Sequence, residues 1–308
     1  MALRDIKEKI VSVKKTAKVT KAMESVSAVK MRKAQEVALQ AREYAFFAFW
    51  ALKRLAHASG KDISEYFSVT TGDKIGLVLV SPDKGLAGAI NTNLFKEFEK
   101  FIQENNLDKN NLGVITVGKK ANEYVKRNGY TSLFHVAQLG ETEELSVFED
   151  ISKQVAELFL KGDYKEFYVL HTKFITTTEQ KPLARQVLPI TETGLRAFIS
   201  EIIPKKGKYA DKAGEYDFDK DMPTDYKFEP NAETVLAHVV PYLVTTSLYY
   251  ALLESLASEH SARMVAMKNA TDKAGDVAKE LKRQFNKQRQ AAITSEISEI
   301  TSGMETTQ

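Results

Sequence analysis

The feature that most limits this chain is what its ends lack. Residues 1–58 contain no glycine and no proline, and the first helix breaker is Gly60. Residues 231–302 contain one proline, Pro241, and one glycine, Gly275. Both stretches are rich in residues that lose little on entering a helix. At ~1.5 Å per residue they predict helices of roughly 80 Å and 105 Å, several times the ordinary length. In the first, Leu3, Ile6, Ile10, Val13 and Ala17 step by three and four, the spacing of a coiled-coil seam. Further along, the seam reads as drifting, because Met23, Val26 and Val29 fall off a strict heptad, and Tyr44 to Leu52 reads as buried on more than one side. In the second, Leu253, Ala257, His260, Met264, Met267, Thr271, Ala274, Ala278 and Leu281 step alike, and Ile293, Ile297 and Ile300 resume after a skip near Phe285. Asn231 is placed to cap this helix and Pro241 to kink it. Neither helix is compact alone, so the simplest solution is an antiparallel pair in which the longer second helix protrudes at its tip.

Residues 72–203 follow a different pattern. Lys74–Val80, Leu112–Val117 and Phe167–His171 are short apolar runs bounded by turn residues. Helical patterns at Asn91–Asn105, Ala121–Asn128 and Leu145–Leu160 alternate with them. Strands alternating with helices predict a parallel α/β sheet. Phe174–Thr178 and Leu183–Ile190 read as a terminal strand pair that would make the sheet mixed. Residues 204–230 hold seven acidic residues, six lysines and three prolines, which predicts a solvated surface loop.

Several kinds of chemistry are missing. No cysteine is present, which removes disulfides, iron–sulfur ligation and thiol catalysis. Lys and Arg number 44 against 41 Asp and Glu, so the molecule as a whole is not a strong polyanion binder. No apolar run approaches the ~20 residues of a membrane span, and the N-terminus lacks a secretory h-region. The five histidines, His57, His135, His171, His238 and His260, show no metal-ligand spacing. Ser258-Glu259-His260 is no triad, because successive helical residues point in different directions.

Two motifs come close to a phosphate site. Gly113-Val-Ile-Thr-Val-Gly118-Lys119-Lys120 matches the phosphate-loop pattern except at its last position, where Lys120 replaces the magnesium-binding hydroxyl. Its Val-Ile-Thr-Val centre favours strand over loop. Ser81-Pro-Asp-Lys-Gly85-Leu-Ala-Gly88 lies between a strand and a helix, where α/β ligands bind; it reads either as a backbone anion cradle or as a tight turn. Residues 1–33 carry ten Lys and Arg against three acids. Such an arm suits nucleic acid, an anionic membrane or an acidic protein surface, and equally a solvated helix face.

The ends then become specific. Arg4-Asp5-Ile6-Lys7, Ser12-Val13-Lys14-Lys15-Thr16, Lys18-Val19-Thr20-Lys21-Ala22-Met23 and Val26 to Gln35 resemble the N-terminal helix of the gamma subunit of F-type ATP synthases. Leu252 to Thr271 resembles that family's C-terminal helix, as does Phe285-Asn286 followed by Arg289 to Glu296. Asp83 to Gly88 with Asn91 resembles its glycine-rich turn, and Asp225-Tyr-Lys-Phe228-Glu229-Pro230 the segment before its second helix. The departures are Met304 after Gly303, Pro82 before the turn, and an apparent insertion at 205–223.

The resemblance implies a fold of mixed α+β and α/β character: two long terminal helices in an antiparallel coiled coil plus a central Rossmann-like α/β domain. Its parts would be helix 1–58, globular domain 72–203, inserted loop 204–230 and helix 231–302. It implies a non-catalytic rotor shaft that couples proton or sodium flow through a c-subunit ring to conformational cycling of catalytic subunits. No cofactor, metal or catalytic residue is expected. The implied partners are the alpha and beta subunits of the catalytic ring, the epsilon subunit and the ring of c subunits. Membrane contact would run only through that ring, and nucleic acid is not a partner. The implied location is peripheral, on the inner face of a bacterial membrane or its organellar equivalent. Lys21, Met23, Asp83, Lys84, Gly85 and Arg263 would meet the catalytic subunits, with Arg263 on the outer face of its helix. Gln290, Thr294 and Glu296 would make polar contacts within the ring, and Ile293, Ile297 and Ile300 would sit in its apolar bearing. Tyr226, Phe228 and Glu229 would belong to the foot. The rival reading is a basic coiled-coil nucleic-acid-binding or scaffold protein.

Overall fold

A computed structural model describes residues 3–58, 72–136, 145–191, 193–194, 196–198, 229 and 231–305, without the side chains of 39–58, 145–147, 232–233, 236–238 and 301–305. The expected burial of Tyr44–Leu52 therefore lies outside the described side chains, and segment 204–230 lies outside the described residues except for Glu229. The elements run α1 (Leu3–Ala58), β1 (Lys74–Val80), α2 (Ile90–Glu104), β2 (Leu112–Val117), α3 (Lys119–Arg127), β3 (Ser132–Val136), α4 (Leu145–Leu160), β4 (Tyr164–Phe174), β5 (Gln180–Leu188) and α5 (Ala232–Glu305). They form two compact units, Met1–Ala28 with Arg263–Gln308, and Val29–Ala262.

The first unit is a helix pair. Its register is fixed by a hydrogen bond between the hydroxyls of Thr20 and Thr271, 2.7 Å apart. Counting outward from that bond in opposite directions sets Ile6 against Phe285, Ile10 against Leu281, Val13 against Ala278, Ala17 against Ala274, and Ser27 against Met264. All ten are buried or half-buried. A parallel count would instead set Ala17 against the exposed Lys268. The pair is antiparallel, as its sequence leads one to expect.

A three-and-four alternation of covered positions persists along α1. It runs through Leu3, Ile6, Ile10, Val13, Ala17, Thr20, Glu24, Ser27, Met31, Ala34 and Ala38, and from Met23 onward Met23, Ala28, Lys30, Gln35 and Val37 beside it are half-buried as well. Hydrophobicity pointed to the wrong face. Thr20 and Ser27 are buried at 8% and 3% exposure, whereas Val19, Val26 and Val29 are 59%, 54% and 66% exposed. Small and polar side chains take over the seam where the helices approach closely, and the valines lie on the opposite side of α1.

The second unit is built on a five-stranded sheet of order β3-β2-β1-β4-β5. The first four strands are parallel, and β5 returns antiparallel to β4. The pleat sends Ile75, Leu77 and Leu79 to one face and Val78 and Val80 to the other. On the first face pack Leu94 and Phe98 of α2 and Ala121 and Val125 of α3; on the second, Phe148, Ile151, Val155 and Phe159 of α4 and Val240 to Leu252 of α5. Gly76 leaves room for the Phe167 ring, which a Cβ there would strike.

Two sequence readings need correction. Phe174–Thr178 is no separate strand: Phe174 ends an eleven-residue β4, and Thr176 and Glu179 close the hairpin by exchanging backbone hydrogen bonds. The strand β3 escaped notice because Ser132–Val136 is short and has no fully buried residue. Pro241 lies inside α5, which runs unbroken for 74 residues. The carbonyl of Pro241 accepts hydrogen bonds from Ser152 and Thr245 at 2.8 and 3.0 Å. Asn231 caps the helix as expected, its Oδ1 accepting from the Thr234 N–H at 2.8 Å.

Candidate functional site

The near-miss phosphate motif is structurally committed elsewhere. Its Gly113 to Val117 segment is β2, buried along its whole length and paired on both sides. The turn after β1 then fills the N-terminus of α3. Asp83 Oδ1 accepts from the Lys119 N–H at 2.6 Å, and Ser81 Oγ accepts from the Ala121 N–H at 2.7 Å. The Lys120 N–H bonds the Pro82 carbonyl at 3.3 Å. A helix N-terminus attracts anions because its first N–H groups lack partners. Here the chain's own carboxylate and hydroxyl supply them, which also explains why α3 starts at Lys119 rather than Ala121. Gly118 makes the fit possible: its φ is +96°, and a Cβ would strike the Ser81 carbonyl oxygen. Both lysines turn to Glu123, Lys120 at 2.7 Å and Lys119 at 3.9 Å. The hydrogen bond from Lys120 leads the causes that hold the Glu123 carboxyl below its ordinary range. The Ser81–Gly88 segment thus supplies the cap of α3.

The turn presents a shaped surface. Ala87 is buried at 2% exposure, while Lys84 and Gly85 are exposed. Leu86 is 68% exposed and holds φ at +61°, a conformation costly for a side chain bearing a Cβ. The sequence reading singled out Asp83, Lys84 and Gly85 within the turn Asp83–Gly88, which also contains Leu86.

The remaining candidates fall into separate groups. On α1, Lys21 pairs with Glu24 at 3.0 Å, and Met23 is half-buried. Arg263 is not on an outer face but buried at 8% exposure. The end of α5 is different: every position from 286 to 300 is exposed. Gln290, Thr294 and Glu296 lie there, with the Thr294 hydroxyl donating to the Gln290 carbonyl at 3.0 Å. Ile293, Ile297 and Ile300 are 47%, 59% and 58% exposed, a spaced apolar row on a polar helix. Glu229 is exposed, and Tyr226 and Phe228 lie outside the described residues.

One missed group is buried. His171 on β4 and Glu254 on α5 meet at 3.2 Å, and the Tyr250 hydroxyl donates to the other oxygen of Glu254 at 3.0 Å. Its signal was a carboxylate inside the apolar run Leu252-Leu253-Glu254-Ser255-Leu256.

Among the described residues no cluster of His, Asp and Glu has metal-binding geometry, and no helix is long and apolar enough to cross a membrane. In sequence an α/β domain stands between two long helices, and the N-terminus of α3 is occupied by the chain's own Asp83 and Ser81. The comparisons agree. A family profile described as ATP synthase matches residues 2–306. The ATP synthase gamma chain of Roseiflexus sp. (strain RS-1) is 37% identical over 97% of this chain and 96% of its own. That of Chloroflexus aurantiacus (strain J-10-fl) is 36% identical over 97% of each. A chain of the Euglena gracilis mitochondrial ATP synthase rotor shares the fold with a TM-score of 0.60, at 18% identity over 94% of this chain and 98% of that one. The chain belongs to the ATP synthase gamma-chain family, whose members are non-catalytic subunits of the central stalk.

Proposed function

We propose that this chain is the turning shaft that links a membrane ion-driven ring to the catalytic ring, and that the exposed end of α5 is the part that enters the latter. The observation that carries the reading is one unbroken helix whose first portion is packed against a sheet and whose residues 286–300 are exposed throughout. The end carries the spaced row Ile293, Ile297 and Ile300, which suits an apolar bearing, flanked by Gln290, Thr294 and Glu296 for polar contacts. Lys21, Met23 and the turn Asp83–Gly85 are the proposed contacts with mobile parts of the alpha and beta subunits. An asymmetric shaft meets each catalytic subunit differently, and only differential contact shifts a conformational equilibrium. Buried Arg263 takes a positioning role within the helix pair. Tyr226, Phe228 and Glu229 are the proposed foot, shared by the epsilon subunit and the ring of c subunits. The coupled ion is a proton or sodium ion, and the place is the inner face of the membrane.

The test is purification of the native assembly through a tag on this chain. Alpha, beta, epsilon and c subunits should accompany it, ATP turnover should require the catalytic subunits, and the isolated chain should bind no ATP. Recovery with nucleic acid alone, or micromolar ATP binding by the isolated chain that Lys119→Ala abolishes, would overturn the reading.

A further inference from the structure

Within the unit Val29–Ala262, one face of α5 is tied to one hairpin by a row of directional bonds. The Arg185 guanidinium of β5 donates to the Ser247 carbonyl at 3.0 Å. His171 of β4 meets Glu254 at 3.2 Å, with Tyr250 bracing the same carboxylate. Ser258 Oγ donates to the Thr172 carbonyl at 3.0 Å, and Ser261 Oγ to the Thr177 carbonyl at 2.7 Å. Positions 247, 254, 258 and 261 are separated by seven, four and three residues, so they share one side of the helix. On the hairpin the partners run from the strands to the turn. His171, Ser258 and Ser261 are fully buried, and Glu254 and Arg185 are each 6% exposed.

The surrounding contact is apolar, made by Leu243, Val244, Leu248, Ala251 and Leu252. Apolar contact is strong but non-directional, so it opposes separation better than sliding. Hydrogen bonds depend steeply on distance and angle, and a buried polar group that loses its partner is costly. A slip of α5 by one residue would break all four ties at once while leaving much of the apolar area covered.

We propose that this row is a register lock: it fixes α5 against the β4–β5 hairpin so that load applied to the globular domain passes into the helix without slip, with Glu254 as its central positioning residue. The proposal rests on the shaft reading. Removing a hydrogen bond shifts the occupancy of a slipped register by roughly fivefold per bond.

The test uses the assembled ATP synthase in sealed vesicles. The double variant Ser258→Ala with Ser261→Ala deletes two ties without removing apolar packing. It should assemble normally and leave ATP hydrolysis by the detached catalytic head at the wild-type rate. Ion-driven ATP synthesis should fall several-fold. Glu254→Gln should lower synthesis less than Glu254→Leu, because the amide still accepts from Tyr250. A wild-type ratio of synthesis to hydrolysis in the serine-to-alanine pair would overturn the lock while leaving the shaft reading intact. Equal loss of synthesis and of detached-head hydrolysis would also overturn it. Vesicles that synthesise ATP equally well without this chain would instead overturn the shaft reading.

Discussion

The same helix lives two lives. Between 243 and 261, α5 is buried or half-buried at every position; between 286 and 300 it is exposed at every position. The first stretch carries Leu, Val, Tyr and small polar residues that bond to a sheet; the second carries Lys, Gln, Arg, Ser and Glu with a thin row of isoleucines. A helix can be held by its neighbours or by its own backbone. The buried stretch takes its stability from packing, whereas the exposed stretch only propagates a helix nucleated elsewhere, which adds one hydrogen bond per residue fixed. A protein that keeps both modes in one element has a fixed end and an end available to other chains.

The comparison is broken most severely in the buried stretch. Leu248→Ala should destabilise the chain by about 2–5 kcal/mol through lost transfer energy and a cavity, read as a drop in thermal unfolding temperature. Should Leu248→Ala cost no more than Ile297→Ala, the distinction between the two stretches collapses. In the exposed stretch, Ile297→Gly should cost about 1 kcal/mol of local helix, seen as faster amide exchange after residue 286 at an unchanged melting temperature. Ile297→Ala should leave helicity the same or higher, since Ala is the better former.

The helix pair lies between these extremes. Thr20→Val leaves the hydroxyl of Thr271 to its remaining acceptor, the Met267 carbonyl at 2.8 Å, and should cost about 1 kcal/mol. Thr20→Val combined with Thr271→Val should be milder than the sum of the single changes, as a double-mutant cycle would report. Additive losses would show that the hydroxyl contact contributes nothing.

The smallest effect is one of pH, on the other face of the sheet. Tyr124 is pushed up to about 12, first by burial and then by its hydrogen bond to Glu99. A tyrosine raised in the folded state favours folding below its unfolded value near 10, and that contribution is lost as pH rises through the folded one. Tyr124→Phe should therefore flatten the fall in stability between pH ~10 and ~12, measured by denaturant unfolding. An unchanged slope would remove Tyr124 from that face's energetics.

What could be read from the chain follows the same division. Long breaker-free stretches and short apolar runs gave the helices, β1, β2 and α4 to the residue or nearly so, because propensity and patterning are local. The seam beyond Ala17 was misread because Thr20 and Ser27 are chosen for size and close approach rather than for hydrophobicity. The tie between His171 and Glu254 spans 83 residues of sequence, and no local pattern announces it. Arg263 looked like an outward charge because a guanidinium usually is one. The turn at Asp83 was legible as a motif, but its seat on α3 depends on Gly118, 35 positions further along.

The unbroken three-and-four alternation of α1 has a mechanical corollary. A seven-residue repeat uses 3.5 residues per turn where a straight helix has 3.6, so the paired helices wind around one another left-handed. A wound pair is a torsional spring with a sign. Twisting it in the sense of its winding draws the interlocked side chains together; twisting it the other way eases them apart. The small residues at Ala17, Thr20, Ser27 and Ala274 let the helices close in one sense, while opening in the other strains the Thr20–Thr271 hydroxyl bond. In the proposed shaft, turning in opposite directions therefore strains the same seam unequally.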